Sequence, residues 1–439
     1  MVYTNRNRFL CPAPIGALLI SQRLERDGHD VRFLDLMHEK DPNGSLRSVL
    51  RAHDPELTCF SIRNVDNMTM GSLDHPLDEV AEYAALVREE SNGALLIGGT
   101  AVTTFPSQIR AFLGADYAIT GDDPEPVSRF VASLESTEPD LDTPGLVHQR
   151  NGSVVHNPHT LKGYTEARFS GFGNIDLKKY RRKGYHDCGL VTSSGCPMGC
   201  SFCDAFRTFG SEYRLRDPDV VVDELTELRR KHGARSIWLI NSGINRPLEH
   251  GKELCARIAE ANLGLSFACI IEPGELDAEM AVLMKKAGCS APMIFGTTLN
   301  DAVLERNQPF YRREDVVEAA KIFRDAKRDF LLGQHYGAPG ETLDGVRDSL
   351  ELAYRLKPAM IIASYGLRIQ PETPVREIAI REGVISEAED GYQARFYLSP
   401  GTPEEELKKC IKSFRRRHPW QIVRFLSFAG RSAIRSLFN

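Results

Sequence analysis

Short apolar runs alternate with amphipathic stretches along this 439-residue chain, in two blocks separated by a weakly patterned segment. Such alternation is the signature of βαβ units and argues against all-helical and sandwich architectures. In the first block a helix is expected over about Gly16–Asp27, with Leu18, Leu19 and Leu24 inward and Gly28 as its stop. Strands are expected at Val31–Asp35, Leu57–Ser61, Ala94–Ile97 and Tyr117–Ile119. The pattern predicts a doubly wound, Rossmann-like α/β domain over residues 1–135. Sheets of that kind take ligands at the C-terminal ends of their strands, which makes Ser61 to Asn64 and Gly98, Gly99 and Thr100 candidate positions. Residues 136–185 read as a linker with a small hairpin around Asn151-Gly152. The second block, 186–395, predicts strands near 189–193, 236–240, 266–271, 292–296, 329–334 and 359–364. That is a partial or complete βα barrel of TIM-like kind, whose chemistry belongs on the loops after the strands. Residues 396–439 read as a helical region, basic at Lys408, Lys409, Lys412 and Arg415 to Arg417. A solvated helical cap is preferred there to a membrane or partner helix.

The length suits two domains. Hydrophobic residues make up 42% and charged residues 26%, as in ordinary globular proteins, and the net charge of −5 points to neither nucleic acid nor an anionic surface. No apolar stretch approaches a membrane span, and the first residues lack the pattern of a signal peptide. Three of the ten cysteines crowd into eight residues, whereas a disulfide framework would spread them through a small secreted chain. The expected compartment is therefore reducing cytoplasm.

The crowded segment is Thr192-Ser-Ser-Gly-Cys196-Pro-Met-Gly-Cys200-Ser-Phe-Cys203, a C-x3-C-x2-C spacing directly after the first barrel strand. Three thiolates on one short loop can hold three irons of a [4Fe-4S] cluster and leave the fourth iron open to a substrate or cofactor. Gly195 and Gly199 let the backbone wrap closely, and amides there can bond the cluster sulfurs. A structural zinc site would need a fourth ligand at usual spacing. A purely electron-transferring cluster would need a fourth cysteine, for which Cys188 is the candidate.

On this motif, with Phe202 before the third cysteine, the chain resembles the radical S-adenosylmethionine (SAM) superfamily. The resemblance implies that Cys196, Cys200 and Cys203 hold the cluster, that the open iron chelates SAM, and that reductive cleavage generates a radical on a SAM fragment. It extends to Asn241-Ser-Gly243 after the second barrel strand, to Gly337-Ala-Pro-Gly-Glu-Thr342, to Arg368-Ile-Gln-Pro-Glu-Thr-Pro374 and to Phe396-Tyr-Leu-Ser-Pro400. These are features of members with an N-terminal cobalamin-type domain. Ser61-Ile-Arg-Asn-Val-Asp-Asn67, Leu96-Ile-Gly-Gly-Thr100 and Gly121-Asp-Asp-Pro-Glu125 are similar to loops of that domain. The implied SAM contacts are Phe202, Asn241, Ser242, Gly243, Glu272 and Thr298. The implied cobalamin contacts are Ser61, Asn64, Gly98, Gly99 and Thr100.

Two departures bear on the chemistry. Asp35-Leu-Met-His38 lacks the spacing and glycine of the loop that gives many cobalamin proteins an axial histidine, so His38 reads as a surface residue. Thr298 stands where relatives commonly carry a glutamate. The leading expectation is a cobalamin-dependent radical SAM enzyme methylating a small molecule. The alternative is a non-methylating radical SAM enzyme, catalysing cyclisation, rearrangement or transfer of an aminocarboxypropyl group, whose first domain lacks cobalamin. A third reading is a redox or sensor protein. Expected partners are a small-molecule substrate and an electron donor such as flavodoxin or ferredoxin, and no nucleic acid. Cys269, His335, Tyr336 and Tyr365 fall near strand ends, where each reads more readily as packing than as acid, base or radical quencher; no catalytic residue is assigned.

Overall fold

The structure is a computed structural model that describes residues 1–6, 12–71, 73–161, 171–183 and 186–419. Strands β1 (Val2–Tyr3), β2 (Leu34–Asp35), β3 (Leu57–Ser61), β4 (Ala94–Gly98), β5 (Tyr117–Ile119), β6 (Leu146–Arg150) and β7 (Ser153–His156) make one seven-stranded sheet. Its order is β2-β1-β3-β4-β5-β6-β7. The first five strands run parallel, with helices between them. β2 is shorter than the expected 31–35, because two-residue β1 offers a ladder only to Leu34 and Asp35. The hairpin at Asn151-Gly152 forms, with both residues at positive φ as a tight primed turn requires. Its strands join the edge of the first sheet antiparallel, so that sheet extends past residue 135 to His156.

The helix Ile15–Arg26 starts one residue before the expected segment and buries Leu18, Leu19 and Leu24 as expected. Ile15, Leu18 and Leu19 also belong to the core of the second unit, so this helix is shared by both.

After the two-residue pair β9 (Ser193–Ser194) with β10 (Arg214–Leu215), the second unit is a six-stranded parallel sheet. It comprises β8 (Cys188–Val191), β11 (Ser236–Ile240), β12 (Ser266–Ile271), β13 (Cys289–Phe295), β14 (Leu331–Tyr336) and β15 (Met360–Tyr365). Sequential neighbours pair throughout and β8 and β15 are the two edges, which is a βα barrel left open. Alternate residues, among them Leu190, Leu239, Cys269, Ile271, Ile294 and Leu332, pack against the outer helices in one continuous core. Phe396–Tyr397, expected at the start of the helical region, is instead a strand (β17) that pairs with β16 (Leu367–Arg368). The helix Glu404–Arg417 follows, and its Lys408 and Lys409 pair with Glu404 to Glu406 as on a solvated face. Residues 420–439 lie outside the described part. No described helix is long and apolar enough to cross a membrane.

Buried polar contacts fasten the C-terminal edge of the first sheet to the C-terminal edge of the second. After β3, Asp66 accepts from Arg368 Nε and Nη2 at 2.9 and 2.8 Å, with both side chains at most 2% exposed. Arg368 also donates to the carbonyls of Ile369 and Gly391 and lies over the Phe105 ring. After β5, Asp122 pairs with Arg214 at 3.1 Å, and Thr104 Oγ1 lies 3.2 Å from Asp204 Oδ2. Breaking a buried pair from one side strands the other charge, at a cost of about 3–5 kcal/mol. Arg368→Met is therefore expected to lower the urea midpoint by a loss of that order, and Asp66→Leu in the same chain to restore most of it. A wild-type midpoint for the single variant would contradict this fastening.

Candidate functional site

The cysteine loop begins where β8 ends and is held from three sides. Cys196 N–H donates to Gly210 O at 3.1 Å, and Ser242 Oγ, from the loop after β11, donates to Gly195 O at 2.8 Å. Ser201 bonds Asn307 twice, N–H to O at 2.9 Å and Oγ to Oδ1 at 2.8 Å. Gly195 has φ +79°, and a Cβ there would lie 1.8 Å from Glu212 O, so no side chain fits. All three thiols are partly exposed. Burial pushes the Cys200 thiol up to about 12 and also raises Cys203, so loading with iron must supply the charge that ionises them. Among the described residues no three His, Cys, Asp or Glu side chains converge on one ion-sized point. Cys188 is no fourth ligand: it sits at the opposite end of β8, 3% exposed and packed in the core. His186 is also at that end, bonded to Ser236 Oγ.

Around the loop stand polar atoms that are buried and lack protein partners: Asn241 Oδ1, Glu272 Oε2, Tyr213 OH and Ser194 Oγ. Asn241 Nδ2 is tied to Thr192 Oγ1 at 3.0 Å, which aims its oxygen. Gly243 makes room for Glu272, since a Cβ at 243 would lie 2.6 Å from Glu272 Cγ. Desolvation, opposed by the Arg246 guanidinium, pushes the Glu272 carboxyl up to about 7. Such a set suits a small zwitterion carrying an ammonium and a carboxylate, which are the groups at the amino-acid end of SAM.

Phe202 stacks on His335 with ring centroids 6.5 Å apart and an 11° interplanar angle. His335 Nε2 must donate to Gly366 O at 3.0 Å, so its Nδ1 accepts from Ser364 Oγ at 2.7 Å. Burial lowers its pKa, which favours this neutral form, and both ring nitrogens are engaged. Cys269 and Tyr336 are fully buried on the outer, helix-facing side, and Tyr365 packs against the helix Glu404–Arg417. Thr298 does not reach the loop; it is fully buried with Oγ1 3.1 Å from Ser349 Oγ.

In the first unit the candidate positions do come together. Ile62 N–H donates to Gly98 O at 2.8 Å, and Thr100 Oγ1 to Arg63 O at 2.6 Å. Gly99, at φ +106°, passes so close that a Cβ would lie 2.4 Å from Ile62 O. Asn64 lines a polar cavity of about 240 Å³ with Asn5, Arg6, Asn67 and His75. His38 is not a surface residue: it is half-buried, edge-on to Tyr180 at 4.5 Å. Sequence reasoning missed Tyr213, Arg246 and Gln308, which reach the site from distant segments and carry no motif.

An open βα barrel with three thiols on the loop after its first strand defines a radical SAM domain. Residues 190–353 match the Radical SAM superfamily, so that segment is a radical SAM domain. It is 21% identical to an uncharacterized methyltransferase of Pyrococcus horikoshii, over 78% of this chain and 73% of that one. It is 23% identical to the tryptophan 2-C-methyltransferase of Streptomyces laurentii, over 82% and 70%. In fold it is similar to the radical SAM methyltransferase TsrM from Kitasatospora setae, solved with tryptophan and the SAM analogue aza-SAM, with a TM-score of 0.84 at 20% identity over 94% and 88% of the chains. It is also similar to the cobalamin-dependent radical SAM enzyme OxsB, with a TM-score of 0.74 at 14% identity over 95% and 66%.

The raised Glu272 pKa predicts a pH effect. The folded, ligand-free protein holds this proton more tightly than the unfolded chain, whose ordinary value is 4.5, so stability is lost as pH rises from about 4.5 to about 7. Glu272→Gln removes that loss. Thermal melts without cofactors are expected to show the variant ahead of wild type by on the order of 2–3 kcal/mol at pH 8, with the gap closing towards pH 4.5. An equal gap at both pH values would show that Glu272 ionises as readily in the folded protein as in the unfolded chain.

Proposed function

We propose that this chain is a cobalamin-dependent radical SAM methyltransferase acting on a small molecule. One observation carries the reading. The strand ends bearing Ser61, Asn64 and Gly98 to Thr100 are bound face to face with the edge bearing the cysteine loop, through Asp66–Arg368, Asp122–Arg214 and Thr104–Asp204. Groups held on the two edges would share one cleft. A bound cobalamin would supply a transferable methyl group, and a four-iron cluster with SAM the radical chemistry that activates the substrate. Cys196, Cys200 and Cys203 would hold the cluster, while Asn241, Ser242 and Glu272 orient the amino-acid end of SAM. Phe202, braced by His335, would wall the cleft. The fold likeness to TsrM and OxsB spans both units, which supports a retained first domain.

The non-methylating alternative drew on Thr298 as a SAM contact without charge. Thr298 is shut into the core, and Glu272 offers a carboxylate at the neighbouring strand end. Methylation is the better reading.

The substrate class follows from the inner wall of the barrel. Strand alternation turns Val191, Trp238, Ile240, Ile270, Met293 and Ile362 away from the outer core and into the lumen. Ile240 and Ile362 are 37% and 40% exposed there, and the alternating inward positions carry no Asp, Glu, Lys or Arg. A lumen wall without charged side chains suits a substrate that enters by a neutral, apolar body. An electron donor of the flavodoxin or ferredoxin class completes the proposed partners.

Anaerobic reconstitution with iron, sulfide and hydroxocobalamin tests the reading. The expected result is about four irons and equimolar cobalt per chain, with Cys196→Ala/Cys200→Ala/Cys203→Ala losing the iron but keeping the cobalt. Iron without cobalt would refute cobalamin dependence. On the same holoprotein, equilibrium dialysis is expected to show 2-naphthol binding at least tenfold more tightly than 2-naphthyl sulfate, and Ile362→Asp abolishing that preference. Equal binding of the two would overturn the neutral substrate.

A further inference from the structure

Gln308 follows the helix Asp301–Asn307, and its side chain reaches the cysteine loop: Nε2 lies 3.6 Å from Cys200 Sγ. The thiol there stands in for the thiolate that would ligate iron. The orientation of the amide is dictated by its other end. Gln308 Oε1 accepts from Thr297 N–H at 3.2 Å, from Tyr311 OH at 3.0 Å and from the Thr297 hydroxyl. A backbone N–H can only donate, so a flipped amide would set donor against donor at that end and a carbonyl oxygen against the thiolate at the other. The NH2 group is therefore committed to sulfur.

The surroundings make this bond matter. Gln308 is 3% exposed, Tyr311 2% and Thr297 fully buried, so the contact lies in a poorly screened interior. The preceding residue, Asn307, clamps Ser201 through both backbone and side chain. One helix end thus grips two successive loop residues, 200 and 201, and cannot drift from the sulfur without breaking both Ser201 contacts.

We propose that Gln308 is a positioning residue that sets the reduction potential of the cluster, through an N–H···S hydrogen bond to Cys200 aimed by Thr297 and Tyr311. The inference rests on the cluster assignment above. One electron from a low-potential donor takes the cluster from its 2+ to its 1+ state, and the added negative charge spreads onto the sulfurs. A fixed donor at one of those sulfurs stabilises the reduced state more than the oxidised state, raising the potential.

Anaerobic potentiometry with dithionite, read by the EPR signal of the reduced cluster, tests this on the reconstituted full chain. Gln308→Leu removes the donor. At a fixed poise its reduced-to-oxidised ratio is expected to fall about tenfold, a 59 mV lower midpoint for a one-electron couple. Tyr311→Phe removes only one of the donors that aim the amide, so it should shift the midpoint in the same direction by less. A purely structural role would change iron content without moving the midpoint of the clusters that remain. An unchanged midpoint in Gln308→Leu with wild-type iron content overturns the proposal. If that variant does not load, an unchanged or raised midpoint in Tyr311→Phe overturns it. Failure of the wild-type chain to load any cluster would instead count against the proposed function.

Discussion

The buried pair of Asp66 and Arg368 is the contact on which the arrangement of the two units turns. Each residue lies at the C-terminal edge of its own sheet, where ligand-binding loops gather. An isolated charge at such depth would cost several kcal/mol, so each residue is tolerable only while the other is in place. Arg368 spends further donors on the carbonyls of Ile369 and Gly391, which draws the segment after β15 against the first core. Asp122–Arg214 repeats the device on the other side of the cleft. The two edges therefore meet in one geometry.

Inside that frame the cysteine loop is shaped before any cofactor arrives. Gly195 is forced by the Glu212 carbonyl, and Ser242, Asn307 and Gln308 grip the loop from three different segments. Four buried polar atoms near it are left without protein partners. Each unpaired group costs about 1–3 kcal/mol in the ligand-free protein. That cost is recovered when a ligand supplies the partner, so the site favours the loaded state.

The sequence-to-structure comparison divides along physical lines. The six barrel strands were legible because parallel strands, apolar on both faces, read as nearly continuous apolar runs. The trio Cys196, Cys200 and Cys203 was legible because one short loop carries the whole motif. The pair β16–β17 was not, since a two-residue ladder leaves no periodicity. Thr298 lies just beyond β13, and its hydroxyl meets Ser349, on the helix Leu343–Arg355. Gln308 and Tyr213 had no signal at all, because their roles come from tertiary approach. Cys269 illustrates the opposite case: strand parity alone sets it beside Ile271 on the helix-facing side.

The central claim is that one cleft brings a corrinoid on the first edge and a cluster on the second into direct proximity. EPR on holoprotein holding both cobalt(II) and the reduced cluster tests this most directly. Close apposition predicts that each signal relaxes faster, or splits, relative to protein loaded with only one of the two. Two spectra that simply superimpose those of the singly loaded proteins would contradict it.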